Sequence, residues 1–202
     1  MNPLNAFNAM LARISRFWLF ALVGIVQVAL IALMVGDRIY ILRSGTDVFL
    51  KTRAVDPRDF LRGDYVVLDY DIVSVESGDL AGTPAPSGDY FMFVKLAPGP
   101  DGFHHVVSMH RERVPLAAGE VLIRGRINRG QNCGDNNSQF CKSMRLDYGL
   151  GSFFVPQGQG REIEKARNDG KLAVVAAVTS GGRAAIKRLL IDGNPVYDEP
   201  LF

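Results

Sequence analysis

Hydrophobic and polar positions divide the chain into one uniformly apolar run and a long remainder in which apolar and polar residues alternate. Residues 17–35 read FWLFALVGIVQVALIALMV, with no charge and with Gln27 as the one strongly polar side chain. As a helix this run extends ~28 Å at ~1.5 Å per residue, close to the ~30 Å hydrocarbon core of a bilayer. A core helix of a soluble domain would repeat its apolar positions every ~3.6 residues, whereas this one is apolar on every face. The pattern predicts a transmembrane helix over 17–36. A cleavable signal peptide fits less well, since signal cores run to ~7–15 residues and the exit Leu33-Met34-Val35-Gly36-Asp37-Arg38 offers no small-residue cleavage site. In the preceding tail, 1–16, Leu4, Phe7, Leu11 and Ile14 recur at spacings of three and four. That spacing fits an amphipathic helix on the inner leaflet and equally a helical extension of the span.

Past a juxtamembrane linker at 37–46 the period shortens to two, which is the signature of strands with one buried face. Strands are expected at 47–55, 65–75, 90–96, 103–114, 120–129, 145–155, 172–179 and 184–191. Within 65–75, Val66, Leu68, Tyr70 and Ile72 share one face. Pro98-Gly99-Pro100-Asp101-Gly102 and Ser180-Gly181-Gly182-Arg183 read as hairpin turns. REIEKARN at 161–168 reads as a short helix. The expected fold is mainly β, an antiparallel barrel or sandwich of about eight strands over 47–202, with one N-terminal transmembrane helix and one short helix in the outer domain.

Charge qualifies this picture in two ways. Of 23 basic residues only Arg13 and Arg16 precede the span, and no acid does, so the 21 acids are matched one for one beyond it. A domain with zero net charge offers no global field for nucleic acid. Basic residues also flank the span on both sides, with Arg38, Arg43, Lys51 and Arg53 following it, so the positive-inside rule does not orient the helix. The short tail and the two cysteines favour an N-terminus inside and an outer domain in an oxidising compartment. Cys133 and Cys141 bracket the polar loop CGDNNSQFC. A bridge there is worth ~2–3 kcal/mol by the chain-entropy model, and two free buried thiols are the alternative. Two thiols alone lack the further ligands of a zinc site, and the loop supplies only fragments of a calcium pattern.

The segment Gly63-Asp64-Tyr65-Val66-Val67-Leu68-Asp69-Tyr70 resembles the signature of the bacterial GDYXXLXY proteins. The likeness extends to Asp56-Pro57-Arg58-Asp59, to FFVPQGQGRE at 153–162, to AAIKRLLIDG at 184–193 and to the ending Asp198-Glu199-Pro200-Leu201-Phe202. It implies a membrane-anchored bacterial protein, here placed in the inner membrane with its outer domain in the periplasm, and it implies no activity. From the residues themselves, Gly63 permits a positive φ at the strand entry and Asp64 can accept bonds from turn amides. Tyr70 joins the buried face and Tyr65 the opposite one. Asp56, Arg58, Asp59, Arg62 and Asp64 then form a charged edge beside the strand end, the candidate surface for a partner.

Catalytic constellations are poorly supported. Membrane-anchored signal peptidases place a serine shortly before a proline, but Ala54 and Val55 precede Asp56-Pro57. His104 and His110 lie six residues apart on one strand face, ~20 Å at ~3.3 Å per residue, too far for one metal. The glycine-rich turn before Arg161 raises phosphate binding, yet Glu162 and Glu164 in the helix's first turn would repel an anion, and Glu162 suits the helix dipole instead. Arg161 is kept as a minor binding residue. The expectation is a non-catalytic binding or accessory module of the envelope, without cofactor or metal, whose partners are the lipid bilayer and another membrane or envelope protein. A membrane-bound hydrolase with a carboxylate site at Asp56, Asp59, Asp64 and Glu162 is the alternative.

Overall fold

The computed structural model describes residues 15–54, 65–76, 90–127, 143–155 and 160–200. Helix α1 covers Arg16–Ser44 and is long and apolar enough to cross a membrane. It continues through 37–44, most of the stretch 37–46 expected as a linker. Helix-compatible residues run on without a proline there, and Ile41 and Leu42 gain burial against Ala177 and Ala185. The helix stops at Gly45, whose N–H donates to Ile41 O at 3.0 Å. A Cβ at this position would lie 2.7 Å from Ile41 O and 2.8 Å from Val178 N, so the close approach of the two backbones requires glycine.

Tyr40–Leu201 forms a compact unit of its own. Its described strands are β1 (Thr46–Arg53), β2 (Tyr65–Val67), β3 (Asp69–Tyr70), β4 (Ser74–Glu76), β5 (Tyr90–Pro98), β6 (His104–His110), β7 (Val121–Ile127), β8 (Ser143–Asp147), β9 (Ser152–Phe154), β10 (Leu172–Val178), β11 (Ala184–Ile191) and β12 (Asn194–Asp198). Helix α2 (Gly160–Asn168) precedes β10. One five-stranded sheet has the order β12-β11-β10-β1-β3, the other β4-β8-β7-β5-β6, and β2 pairs separately with β9. Every pairing among the described residues is antiparallel. Both five-stranded sheets feed one core, where Val48, Leu50, Val94, Ile123, Val174 and Leu189 are fully buried. Each such side chain is worth ~1.5–3 kcal/mol in area removed from water.

The mainly β reading holds, with three departures in detail. The stretch 65–75 is not one strand. It breaks into β2, β3, a 3-10 turn at Asp71–Val73 and β4, which pair in succession with β9, β1 and β8. Ile72 and Val73 are both buried, which strict alternation forbids and the turn allows. The stretch 145–155 likewise splits into β8 and β9. Finally, β12 carries no alternation to announce it, being exposed at four of its five positions.

Two backbone N–H groups are among the contacts that join the five-stranded sheets. The Arg124 N–H on β7 donates to Gly182 O in the β10–β11 turn at 2.8 Å. Gly182 has φ +81° and a Cβ there would meet Arg124 N at 3.1 Å, so glycine serves both the turn and the contact. The Phe49 N–H on β1 donates to His104 Nδ1 on β6 at 3.2 Å. The expectation that His104 and His110 share a face fails, because the β5–β6 register shifts between Lys95 and Leu96. His110 stands opposite Phe93, which is partly exposed, whereas His104 stands opposite Pro98 in the row of buried Val94 and Leu96. A bulge inserts one residue and reverses the faces beyond it.

Candidate functional site

The motif's second half builds one wall of a cavity of about 320 Å³, lined by Val67, Leu68, Asp69, Tyr70 and Val73 on one side and by 145–148, Leu150 and Gly151 on the other. Three hydrogen bonds that end on backbone carbonyls tie the walls together. The Leu68 N–H donates to Gly151 O at 2.9 Å, the Tyr70 hydroxyl to Leu150 O at 2.9 Å and the Tyr148 hydroxyl to Ile72 O at 2.8 Å. Each tyrosine thus reaches across to the backbone beside the other. Burial pushes both phenols well above their ordinary range, helped at Tyr70 by the charge of Asp69, so both stay protonated donors.

Charge is confined to the cavity's edge. Arg145 Nη2 donates to Asp69 Oδ1 at 2.8 Å, with the Asp69 side chain 17% exposed and that of Arg145 50%. Arg53 Nε donates to Asp71 Oδ1 at 2.6 Å nearby on β1 and the 3-10 turn. Asp147 accepts the Gly149 N–H through Oδ1 at 2.8 Å. Among the described residues, no serine, cysteine, histidine or lysine lines the cavity. The described lining offers hydrogen bonding, an ion pair and apolar contact. Among the described residues no group of three His, Cys, Asp or Glu side chains is placed to hold a metal ion.

Beside this cavity lies a buried cation. Arg167 on α2 is 1% exposed; its Nη1 donates to Val67 O at 2.5 Å, and its Nε and Nη2 to Asn168 Oδ1 at 3.2 and 3.1 Å. It pins the helix to the motif strand. A buried guanidinium is held by hydrogen bonding of this kind, because desolvation would otherwise expel it.

Of the residues singled out from the sequence, Leu68 and Tyr70 line the cavity, and Tyr65 sits on β2 opposite Phe154. Arg161 and Glu162 are exposed on the first turn of α2 and do not line it. Asp56, Arg58, Asp59, Arg62, Gly63, Asp64, Cys133 and Cys141 lie outside the described residues. Arg145, Asp147, Tyr148 and Arg167 are additions from the structure. One of them had a signal in the sequence: Ile163, Ala166 and Arg167 share the buried stripe of α2 at spacings of three and four. Arg145 and Tyr148 depend on contacts between segments 76 residues apart.

The chain matches the GDYXXLXY protein family over residues 27–189. No curated protein and no solved structure matches it. The family match takes in the C-terminal part of the apolar helix, both cavity walls, β10 and most of β11, and on that extent the chain belongs to the GDYXXLXY family.

Proposed function

We propose that this protein is a non-catalytic binding module of the bacterial envelope, anchored in the inner membrane by α1 with its N-terminus inside and its β unit in the periplasm. An oxidising periplasm also suits a bridge between Cys133 and Cys141. The observation that carries the binding reading is the cavity built by the family motif. Its volume, about 320 Å³, falls within the range of sites that receive a small ligand or an anchoring side chain. The tyrosine hydroxyls are already committed to backbone carbonyls, so they support the walls, while Asp69, Arg145 and Asp147 supply charge at the edge. Apolar walls under a mixed-charge rim suit a segment of another membrane or envelope protein, as in the apolar centre and polar rim of protein interfaces.

The test is to fill the cavity while leaving its walls alone. At Gly151 an added Cβ meets nothing nearer than Leu68 O at 3.9 Å, so Gly151→Leu is expected to fold with an unchanged unfolding midpoint. The full chain and this variant are cross-linked in membranes, purified in detergent and compared by mass spectrometry. Loss of a partner cross-linked through the wild-type cavity supports the reading; retention of every cross-linked partner by the folded variant overturns it. A C-terminal alkaline phosphatase fusion is expected to be active, and an inactive one overturns the periplasmic placement.

A further inference from the structure

We propose that the outer face of the β4-β8-β7-β5-β6 sheet docks on the anionic headgroups of the bilayer that holds the chain, an inference that rests on reading α1 as the anchor. In this sheet the buried residues of β5 alternate with Phe91, Phe93 and Lys95, which turn outward. The antiparallel register sets Arg126 opposite Phe91 and Arg124 opposite Phe93. The Arg124 guanidinium lies 4.6 Å from the centre of the Phe91 ring, and that of Arg113 lies 5.8 Å from the Phe93 ring. Both arginines are exposed, and neither has a carboxylate partner among the described residues. Among the described residues of this face, Lys95 holds Glu120 at 3.0 Å and Arg145 holds Asp69. Asp147 stands opposite Arg126.

A guanidinium over an aromatic ring retains N–H donors, and those donors match phosphate oxygens in pairs. Phe91 is 53% exposed with the Arg124 guanidinium over it, so this face presents an apolar ring and a cation together. The domain beyond the span has no net charge, so this basic and aromatic face is a local feature and not a share of a general positive field. Tethering favours the bilayer over a soluble anion: β1 begins at Thr46, eight residues after Arg38, which keeps the unit at high local concentration near headgroups.

The full chain is reconstituted in vesicles of phosphatidylcholine alone or with added phosphatidylglycerol, washed at alkaline pH, and pulsed with the arginine reagent phenylglyoxal. Mass spectrometry then gives the modification rate at each arginine. Arg113 and Arg124 are expected to react about fivefold more slowly in anionic vesicles, with the difference vanishing at high salt. Arg188, on the other five-stranded sheet and paired with Asp198, is expected to react equally in both. Equal rates at Arg113 and Arg124, or an equal slowing at Arg188, overturn the inference. So does protection by soluble polyglutamate where phosphatidylglycerol gives none, which assigns the face to an acidic protein segment. Release of the chain by the alkaline wash defeats the anchor reading itself, whereas retention with unprotected arginines defeats only the docking.

Discussion

The two five-stranded sheets share one core yet differ in what covers their backs. In the first, β10 is buried at all seven positions. Val174, Ala176 and Val178 enter the common core, Ala173 and Val175 pack with Leu190 and Phe103, and Ala177 lies under Ile41, Leu42 and Ala185. Three alanines and three valines let both faces be covered closely. In the second, β7 buries its core face and exposes Arg124 and Arg126. A doubly covered sheet spends its side chains on packing, and a singly covered one keeps a face for recognition.

Removing a core side chain gives the largest test of this contrast. Leu189→Ala, at a fully buried position on β11, is expected to cost ~2–5 kcal/mol, whereas Arg124→Gln on the open face should stay within ~0.5 kcal/mol. Urea unfolding of the full chain in detergent compares them. Similar midpoints for the two variants would mean that the second sheet's outer face is also a packing surface.

The tyrosine clasp comes next in size. Tyr148→Phe leaves Ile72 O without its donor in a buried setting and is expected to lose ~1–3 kcal/mol. If the clasp works as a unit, adding Tyr70→Phe costs less than the sum of the two single changes. Strict additivity would show two independent walls.

The smallest effect concerns the seam between the sheets. Burial holds the His104 imidazole below its ordinary value, the nearby His105 adds to the shift, and only a neutral ring can accept the Phe49 N–H. The folded pKa therefore lies below the unfolded value of ~6.5, and the unfolded state binds more protons as pH falls. Stability from this group is fully present above ~6.5 and is lost as pH falls through the folded pKa. Thermal unfolding at successive pH values should show an acid decline that is shallower in His104→Gln, which lacks the titration; identical slopes would remove His104 from the seam.

Much of the fold was legible because alternation and turn chemistry are local. The Ser180–Arg183 turn has a long strand on each side, and REIEKARN is helical, as their patterns required. The candidate site was legible only in part. Leu68 and Tyr70 stood out as buried members of the motif, but nothing local to Arg145 or Tyr148 indicates that they face the motif strand. The splitting of 65–75 was hidden for a related reason: its alternation is sound up to Ile72, and the demand that Val73 also enter the core comes from the partner strands.

The sequence by itself determined the apolar helix, the β character of the remainder and the family to which the chain belongs. Those properties reside in runs of neighbouring residues, where length, period and motif spacing act without help from distant chain. Tertiary structure decided which side of each strand was covered and which long-range partners met. Burial of a face depends on what packs against it, and the cavity exists only because Tyr70 and Tyr148 reach across to each other's segments.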